Sequence, residues 1–403
     1  TNGNGDDPFL EAASIVRNNA STLNIRGTNL GEAGSGGRVG RFLIDNSGEA
    51  SFTSANQIGG GGDNGSTSLS IVPWAIGQDL GTSGNVNATA VGNSFLTYRN
   101  DNGFRALDLS SEYAGLSSAS STTNIRESLN ASQSGISSLS VNSLVIDNNN
   151  TATLGVTGAG AGTSIANTSG GFLFTVSNGT TGTTYETTFS GFDDGITTTA
   201  SEYIFHVVNP NFDDATIANK VVVSSPLSSS GAITKSGRGT LVLSGTNTAG
   251  AGGTGTTVNE GTLIIADNDN IGGDAGGLNF GGGTLQLTNT YADNLTGRTI
   301  SYISGTSSTL DLGENDLTFG NSLGSGAGGL SLTNGSLTLN ATSTRSGATT
   351  FLTTGNQTLT LGANNAIGSG GDFEINYDGI TTARTVLALG SSNLDVANFT
   401  VSG

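Results

Sequence analysis

The hydrophobic positions of this chain come in pairs two residues apart, and the pairs recur. Thr240-Leu241-Val242-Leu243 is followed by Thr262-Leu263-Ile264-Ile265, Thr284-Leu285-Gln286-Leu287, Thr309-Leu310-Asp311-Leu312, Ser336-Leu337-Thr338-Leu339 and Thr358-Leu359-Thr360-Leu361, with Val386-Leu387-Ala388-Leu389 as a looser copy. The first leucines lie 22, 22, 25, 27, 22 and 28 residues apart. Apolar residues at i and i+2 mark one face of a β-strand. A strand this short is not stable by itself. A period of ~22 residues matches one coil of a β-solenoid whose coils stack at ~4.8 Å. The spacing therefore predicts one inward ladder made of Leu241, Leu243, Leu263, Ile265, Leu285, Leu287, Leu310, Leu312, Leu337, Leu339, Leu359, Leu361, Leu387 and Leu389.

Further inward pairs fall between these copies, at Leu278-Asn279-Phe280, Leu317-Thr318-Phe319 and Leu330-Ser331-Leu332. Each coil should then hold two or three short strands joined by Gly-rich corners, where positive φ favours glycine. An array of antiparallel hairpins fits less well. It would place Asn-Gly or Asp-Gly turns every ~8–12 residues, and Asn334-Gly335 is one such dipeptide within a longer period. The first half is more divergent, with strand-like groups at Leu23-Asn24-Ile25, Leu107-Asp108-Leu109, Leu144-Val145-Ile146 and Leu173-Phe174-Thr175-Val176. Near the start, Asp7-Pro8 followed by Phe9, Leu10, Ala13 and Val16 predicts a short amphipathic helix. Asp7 would be its N-cap and Pro8 its first residue, and the helix would cap the solenoid. The expected organisation is an N-terminal cap or assembly segment over 1–30, a divergent solenoid region over 31–230 and a regular repeat array over 231–403. The fold class expected is all-β, an elongated parallel β-solenoid.

Composition narrows the function. The chain has 403 residues, 65 Gly, 4 Pro, no Cys, one His and a net charge of −18. The absence of cysteine excludes a disulfide framework and any thiol nucleophile. Glycine lacks the three-residue period of collagen. Nucleic acid is not an expected partner, because phosphate binding needs a basic surface. The longest apolar runs, near 70–76 and 203–208, are far below the ~18 residues of a membrane-spanning helix. Zero cysteine and a start at Thr1 suit an exported protein.

Candidate chemistry is sparse. His206 lies in a strand-like stretch, Tyr203 to Val208, with no acid or nucleophile to place beside it, so a structural role is expected. Acidic residues cluster at Asp6-Asp7, Asp193-Asp194, Asp213-Asp214 and Asp267-Asn268-Asp269. Calcium requires several oxygen ligands in one tight loop. Asp267 and Asp269 are the calcium candidates of this chain, although solvated corner residues are the plainer reading. The glycine-aspartate nonapeptide of calcium β-rolls does not recur, and Gly272-Gly273-Asp274 is only a fragment of it. A polysaccharide-cleaving site would need acids in register on neighbouring coils. The two lysines, Lys220 and Lys235, and the eleven arginines are instead spread along the chain. Sequons such as Asn130-Ala-Ser132 follow from the Asn, Ser and Thr content.

One stretch carries a family resemblance. Ile233-Thr-Lys-Ser-Gly-Arg-Gly-Thr-Leu-Val-Leu-Ser-Gly-Thr-Asn247, continued by Gly252-Gly-Thr-Gly-Thr-Thr-Val-Asn-Glu-Gly-Thr-Leu263, resembles the autotransporter-associated β-strand repeat of bacterial surface proteins. Ala249 stands near the usual aromatic position, Gly255 interrupts the second part, and the pattern degenerates after Leu287. Ile71-Val-Pro-Trp-Ala-Ile76 and Phe95-Leu-Thr-Tyr98 also resemble the upstream part of such proteins. The resemblance implies a secreted or surface-displayed passenger, a right-handed β-helix and no enzyme activity. Lys235 and Arg238 belong to the repeat signature, which implies a structural role for both.

The expectation is therefore an extracellular or cell-surface structural protein, with no catalytic residues and no cofactor unless calcium binds. It would associate with itself end to end into a filament, fibre or layer, because the strand-like sequence from Leu394 to Ser402 carries no cap. The alternative is a surface adhesin presenting a Thr/Ser/Asn face to glycans. A polysaccharide-active β-helix enzyme is the third reading.

Overall fold

The computed structural model describes residues 9–31, 39–44, 52, 56–80, 92–99, 102–177, 179–209, 216–251, 255–273, 276–295, 297–377, 384–390 and 392–402. These residues are strands, turns and two short 3-10 turns, with no α-helix among them. The chain divides into two units, 1–225 and 226–403. Both contain parallel β-solenoid coils.

In the first unit the coils have three sides. The first side is a sheet of Asn124–Leu129, Ser143–Asn148, Gly171–Thr175 and Glu202–Val207, each paired parallel to the next. The second side stacks Gln133–Ile136, Leu154–Gly160, Thr184–Phe192 and Ala218–Val223. The third stacks Leu139–Val141, Ser164–Asn167 and Gly195–Thr198. Equal pitch puts like side chains above one another. Ile125, Leu144, Phe172 and Phe205 form one buried column, and the rings of Phe172 and Phe205 stack at 5.0 Å and 14°.

The first sheet of this unit is buried on both faces. Val145, Leu173 and His206 point away from the column just described and are also fully buried. They are covered by an antiparallel layer of Val72–Asp79, Ser94–Arg99 and Gly103–Ala106, which contributes Ile76 and Phe95. A sheet covered on both faces reads as a continuous apolar run, which explains why Leu144, Val145 and Ile146 break the alternation. The expected divergent solenoid over 31–230 thus holds this meander as well as coils. The opening edge of the coils is also met. Ala114 bridges Ile125 in parallel, and the Asn124 N–H donates to the Thr67 carbonyl at 2.8 Å.

The expected N-terminal helix does not form. Phe9–Ala12 is a strand, paired parallel with Arg41–Ile44, while Asp7 and Pro8 lie outside the described residues. A helix of one or two turns nucleates poorly. Pairing with a second strand satisfies the same backbone groups. Leu23–Gly27 adds to the meander as a parallel neighbour of Val72–Asp79.

In the second unit, Thr240–Leu243, Thr262–Ile265, Thr284–Leu287 and Ser307–Asp311 stack in register, so that Leu241, Leu263, Leu285 and Leu310 form one column. The ladder then departs from the expectation. Leu310 pairs with Leu332, not Leu337, and the column continues to Phe351 and Ile375. Leu337, Leu359 and Leu387 stand in a second column founded on Leu317, and Leu339, Leu361 and Leu389 in one founded on Phe319. The single leucine ladder is therefore two ladders on two sheets. From Asp316–Phe319 onward each coil gains a third apolar strand, and both strands carry the same Leu-x-Leu text. The 27-residue step from Leu310 to Leu337 crosses from one sheet to the other. The burial expected of all fourteen residues also fails at the last rung. Leu387 is half-buried and Leu389 is 53 % exposed, because no further described strand stacks on Thr385–Leu389.

The corners require glycine where coils touch. Gly261 has φ +67°, and a Cβ there would lie 2.4 Å from the carbonyl oxygens of Gly237 and Gly239 in the coil before it. Leu285→Ala, in the middle of a column, is expected to lower the unfolding free energy by about 2–5 kcal/mol. Leu389→Ala should change it by only about 0.5 kcal/mol. Urea unfolding followed by circular dichroism measures both.

Candidate functional site

The charged side chains that the fold buries are the first candidates for chemistry. In the second unit two of them lie at the two ends of one inward column, Lys235–Val258–Phe280–Tyr302–Gly326–Arg345. Lys235 is fully buried. Its Nζ donates to the carbonyls of Ser236 at 3.0 Å, Gly237 at 2.6 Å and Glu260 at 2.9 Å. The first two belong to its own corner and the third to the corner of the next coil, so one ammonium ties two coils together. Burial pushes the Lys235 ammonium down to about 7, opposed by the Glu260 carboxylate. The cation three residues further on behaves differently. Arg238 meets Glu260 at 3.3 Å with both side chains about half exposed, an arrangement that adds little stability.

Arg345 is fully buried at the other end. Gly326 stands between it and Tyr302, and the guanidinium lies 4.7 Å over the Tyr302 ring. It donates to Thr349 Oγ1 and to the carbonyls of Gly328, Ala348 and Ile367. Burial lowers its pKa, and burial raises that of Tyr302. Arg298 follows the same plan, giving its N–H groups to the carbonyls of Asn268, Ile271, Gly273 and Gly276. All three cations close loops and corners from inside, bonding backbone oxygens.

The sequence-derived candidates have comparable roles. Asp267 is the N-cap of the 3-10 turn Asn268–Ile271 and accepts from the Asp269 N–H at 2.8 Å. Asn270 completes a capping box with it. The Asn268 N–H donates to Asp293 Oδ2. Among the described residues no three acidic or histidine side chains gather as a metal site would need. Asp193 and Asp194 are exposed at a corner, and Asp6, Asp7, Asp213, Asp214 and Asp274 lie outside the described residues. His206 is fully buried with Nε2 3.0 Å from the Pro73 carbonyl oxygen and its ring edge-on to Phe95. It joins the meander to the first sheet.

Two buried ion pairs escaped the sequence reading. Glu112 accepts two hydrogen bonds from Arg105, at 2.8 and 2.9 Å, and the N–H groups of Gly65 and Asp108. Burial pushes the Glu112 carboxyl up, but Arg105 and the two N–H groups together hold it below the usual carboxylate range. Asp147 pairs with Arg126 at 2.7 Å and accepts from Ser177. The spacing from Asp147 to Arg126 spans one coil, so only knowledge of the coil length could have joined them.

The first unit also carries an open groove of about 650 Å³, between the edge of Leu23–Gly27 and the strands Phe9–Ala12 and Arg41–Ile44. Leu10, Leu23, Ile25 and Phe42 supply its apolar wall, and Arg26 and Arg41 its charge. No described helix is long and apolar enough to cross a membrane.

Parallel, in-register coils define this chain as a β-solenoid. No family model, no curated protein and no solved structure matches it.

Lys235 yields a pH test. Its folded value near 7 lies below the ordinary 10.5. Between those limits the unfolded chain holds a proton that the folded chain lacks, so unfolding free energy should rise with pH across that window. Lys235→Met should remove this rise. It should also cost about 1–3 kcal/mol at neutral pH by leaving buried carbonyls without a donor. Urea titrations at a series of pH values measure both effects.

Proposed function

We propose that the chain is an extracellular structural protein, a β-solenoid subunit that associates with itself into a surface filament, fibre or layer. The observation that carries this reading is the use made of the buried polar groups. Lys235, Arg298, Arg345, Asp147 and Asp267 hold corners, loops and neighbouring coils together. Their chemistry is spent on mechanical continuity, which favours a non-enzymatic role.

Self-association is supported by the rung of Thr385–Leu389 and Phe399–Ser402. Leu389, Phe399 and Val401 are more than half exposed there, and the last strand is paired on one side only among the described residues. Any coil of the same pitch would cover this rung, whether from following residues or from another molecule. In the proposal a second copy supplies it. The sequence resemblance to surface passengers agrees with an exported location.

The adhesin reading has its own support. Thr240, Thr262, Thr284, Thr309, Ser331 and Thr350 form one half-exposed column of hydroxyls on an outer face of the second unit. A glycan array run with and without calcium tests it, and reproducible binding would favour display over scaffold.

For the scaffold reading, sedimentation velocity over a concentration series should find association of the 403-residue chain. The Phe399→Ser/Val401→Ser variant should stay monomeric. A wild-type chain that stays monomeric at high concentration, or a variant that associates equally, would refute association through this rung.

A further inference from the structure

Arg41 stands out among the charged residues of the first unit. Its side chain makes no hydrogen bond or ion pair with any described residue, and its Nε is shielded from solvent. Other arginines of this unit are engaged. Arg17 bonds Glu202, Arg105 bonds Glu112 and Arg126 bonds Asp147. A shielded Nε–H without an acceptor is costly unless something outside supplies one.

Arg41 lines the groove described above, together with Arg26, and no carboxylate lies among the residues that line it. In a chain of net charge −18, Arg41 places on this groove wall a positive charge with no described counter-ion. The groove has the shape of a strand slot. Six consecutive residues, 23–28, make one wall, and the sheet order ends at Leu23–Gly27, so no described strand occupies its outer edge. Leu10, which is 60 % exposed, lies on the wall made by the Phe9–Ala12 and Arg41–Ile44 pair.

We propose that this groove binds an extended peptide of alternating apolar and acidic residues from another molecule, added as a strand along the edge of Leu23–Gly27. Strand addition takes its affinity from main-chain hydrogen bonds and its specificity from alternate side chains. Here the apolar side chains would meet Leu10, Leu23 and Phe42, and a carboxylate would meet the Arg41 guanidinium, whose planar fork suits bidentate pairing. The site is independent of the self-association rung, which belongs to the other unit.

The test is fluorescence anisotropy with the full chain and a labelled hexapeptide alternating valine and glutamate. Saturable binding is expected, weakening from low to high salt. Arg41→Gln should weaken it at least about tenfold, roughly 1.4 kcal/mol, with unchanged thermal unfolding. Arg99→Gln, outside the groove, should leave it unchanged. A peptide with lysine in place of glutamate should not bind. N-methylation at alternate residues should abolish binding in one of its two registers. The salt titration needs no variant, so it holds even if Arg41→Gln folds poorly. Absence of saturable binding, equal binding of the lysine peptide, or indifference to Arg41→Gln or to salt would overturn the proposal. Binding that survives N-methylation in both registers and is displaced by decanoate would assign the groove to a small amphipathic acid and overturn strand addition.

Discussion

The structure depends on in-register parallel stacking at a constant pitch. Parallel strands held ~4.8 Å apart leave no freedom in the vertical direction. Whatever occupies an inward position in one coil sits directly on the matching residue of the next. This is why like residues fall into columns, and why Phe280 lies flat on Tyr302 at 5.1 Å and 5°. The same constraint acts on the backbone. At the corner of Gly261 the neighbouring coil approaches so closely that a side chain has no room.

Stacking also creates a polar problem, and the buried cations answer it. Each corner turns carbonyl oxygens away from the sheet ladders, and burial without a donor would be expensive. Lys235 meets three such oxygens from two successive corners. Arg298 and Arg345 use the wider reach of a guanidinium to gather several each. A carboxylate partner would satisfy the cation but not the carbonyls. Lys235 thereby acquires a physical reason, since it joins one coil to the next at the point where the chain changes direction.

The first unit solves a different problem. Its first sheet is apolar on both faces and needs a second cover, which the antiparallel meander supplies through Ile76 and Phe95, with His206 bonded to Pro73. That arrangement consumes the only histidine of the chain in a structural contact. It leaves the outer edge of the meander, at Leu23–Gly27, beside a groove lined by apolar residues together with Arg26 and Arg41. The proposed scaffold role and the proposed binding groove thus draw on separate parts of the chain, stacked coils in one case and an unpaired strand edge in the other.

The repeating Leu-x-Leu text determined the strand type, the inward face and the parallel coil, because a period of two residues within a period near 22 has few other physical solutions. It could not determine which copy stacks on which. Leu332 and Leu337 carry equivalent local patterns, and only the closed path of the coil assigns one to each sheet. Likewise the apolar start at Phe9 and Leu10 was compatible with a helix until a partner strand at Arg41–Ile44 was available. The pairing of Arg126 with Asp147 and the three-carbonyl grip of Lys235 join residues 21 and up to 25 positions apart. Local propensity acts over a few residues, whereas column membership is set by the summed length of strands and corners, so tertiary structure alone decided those contacts.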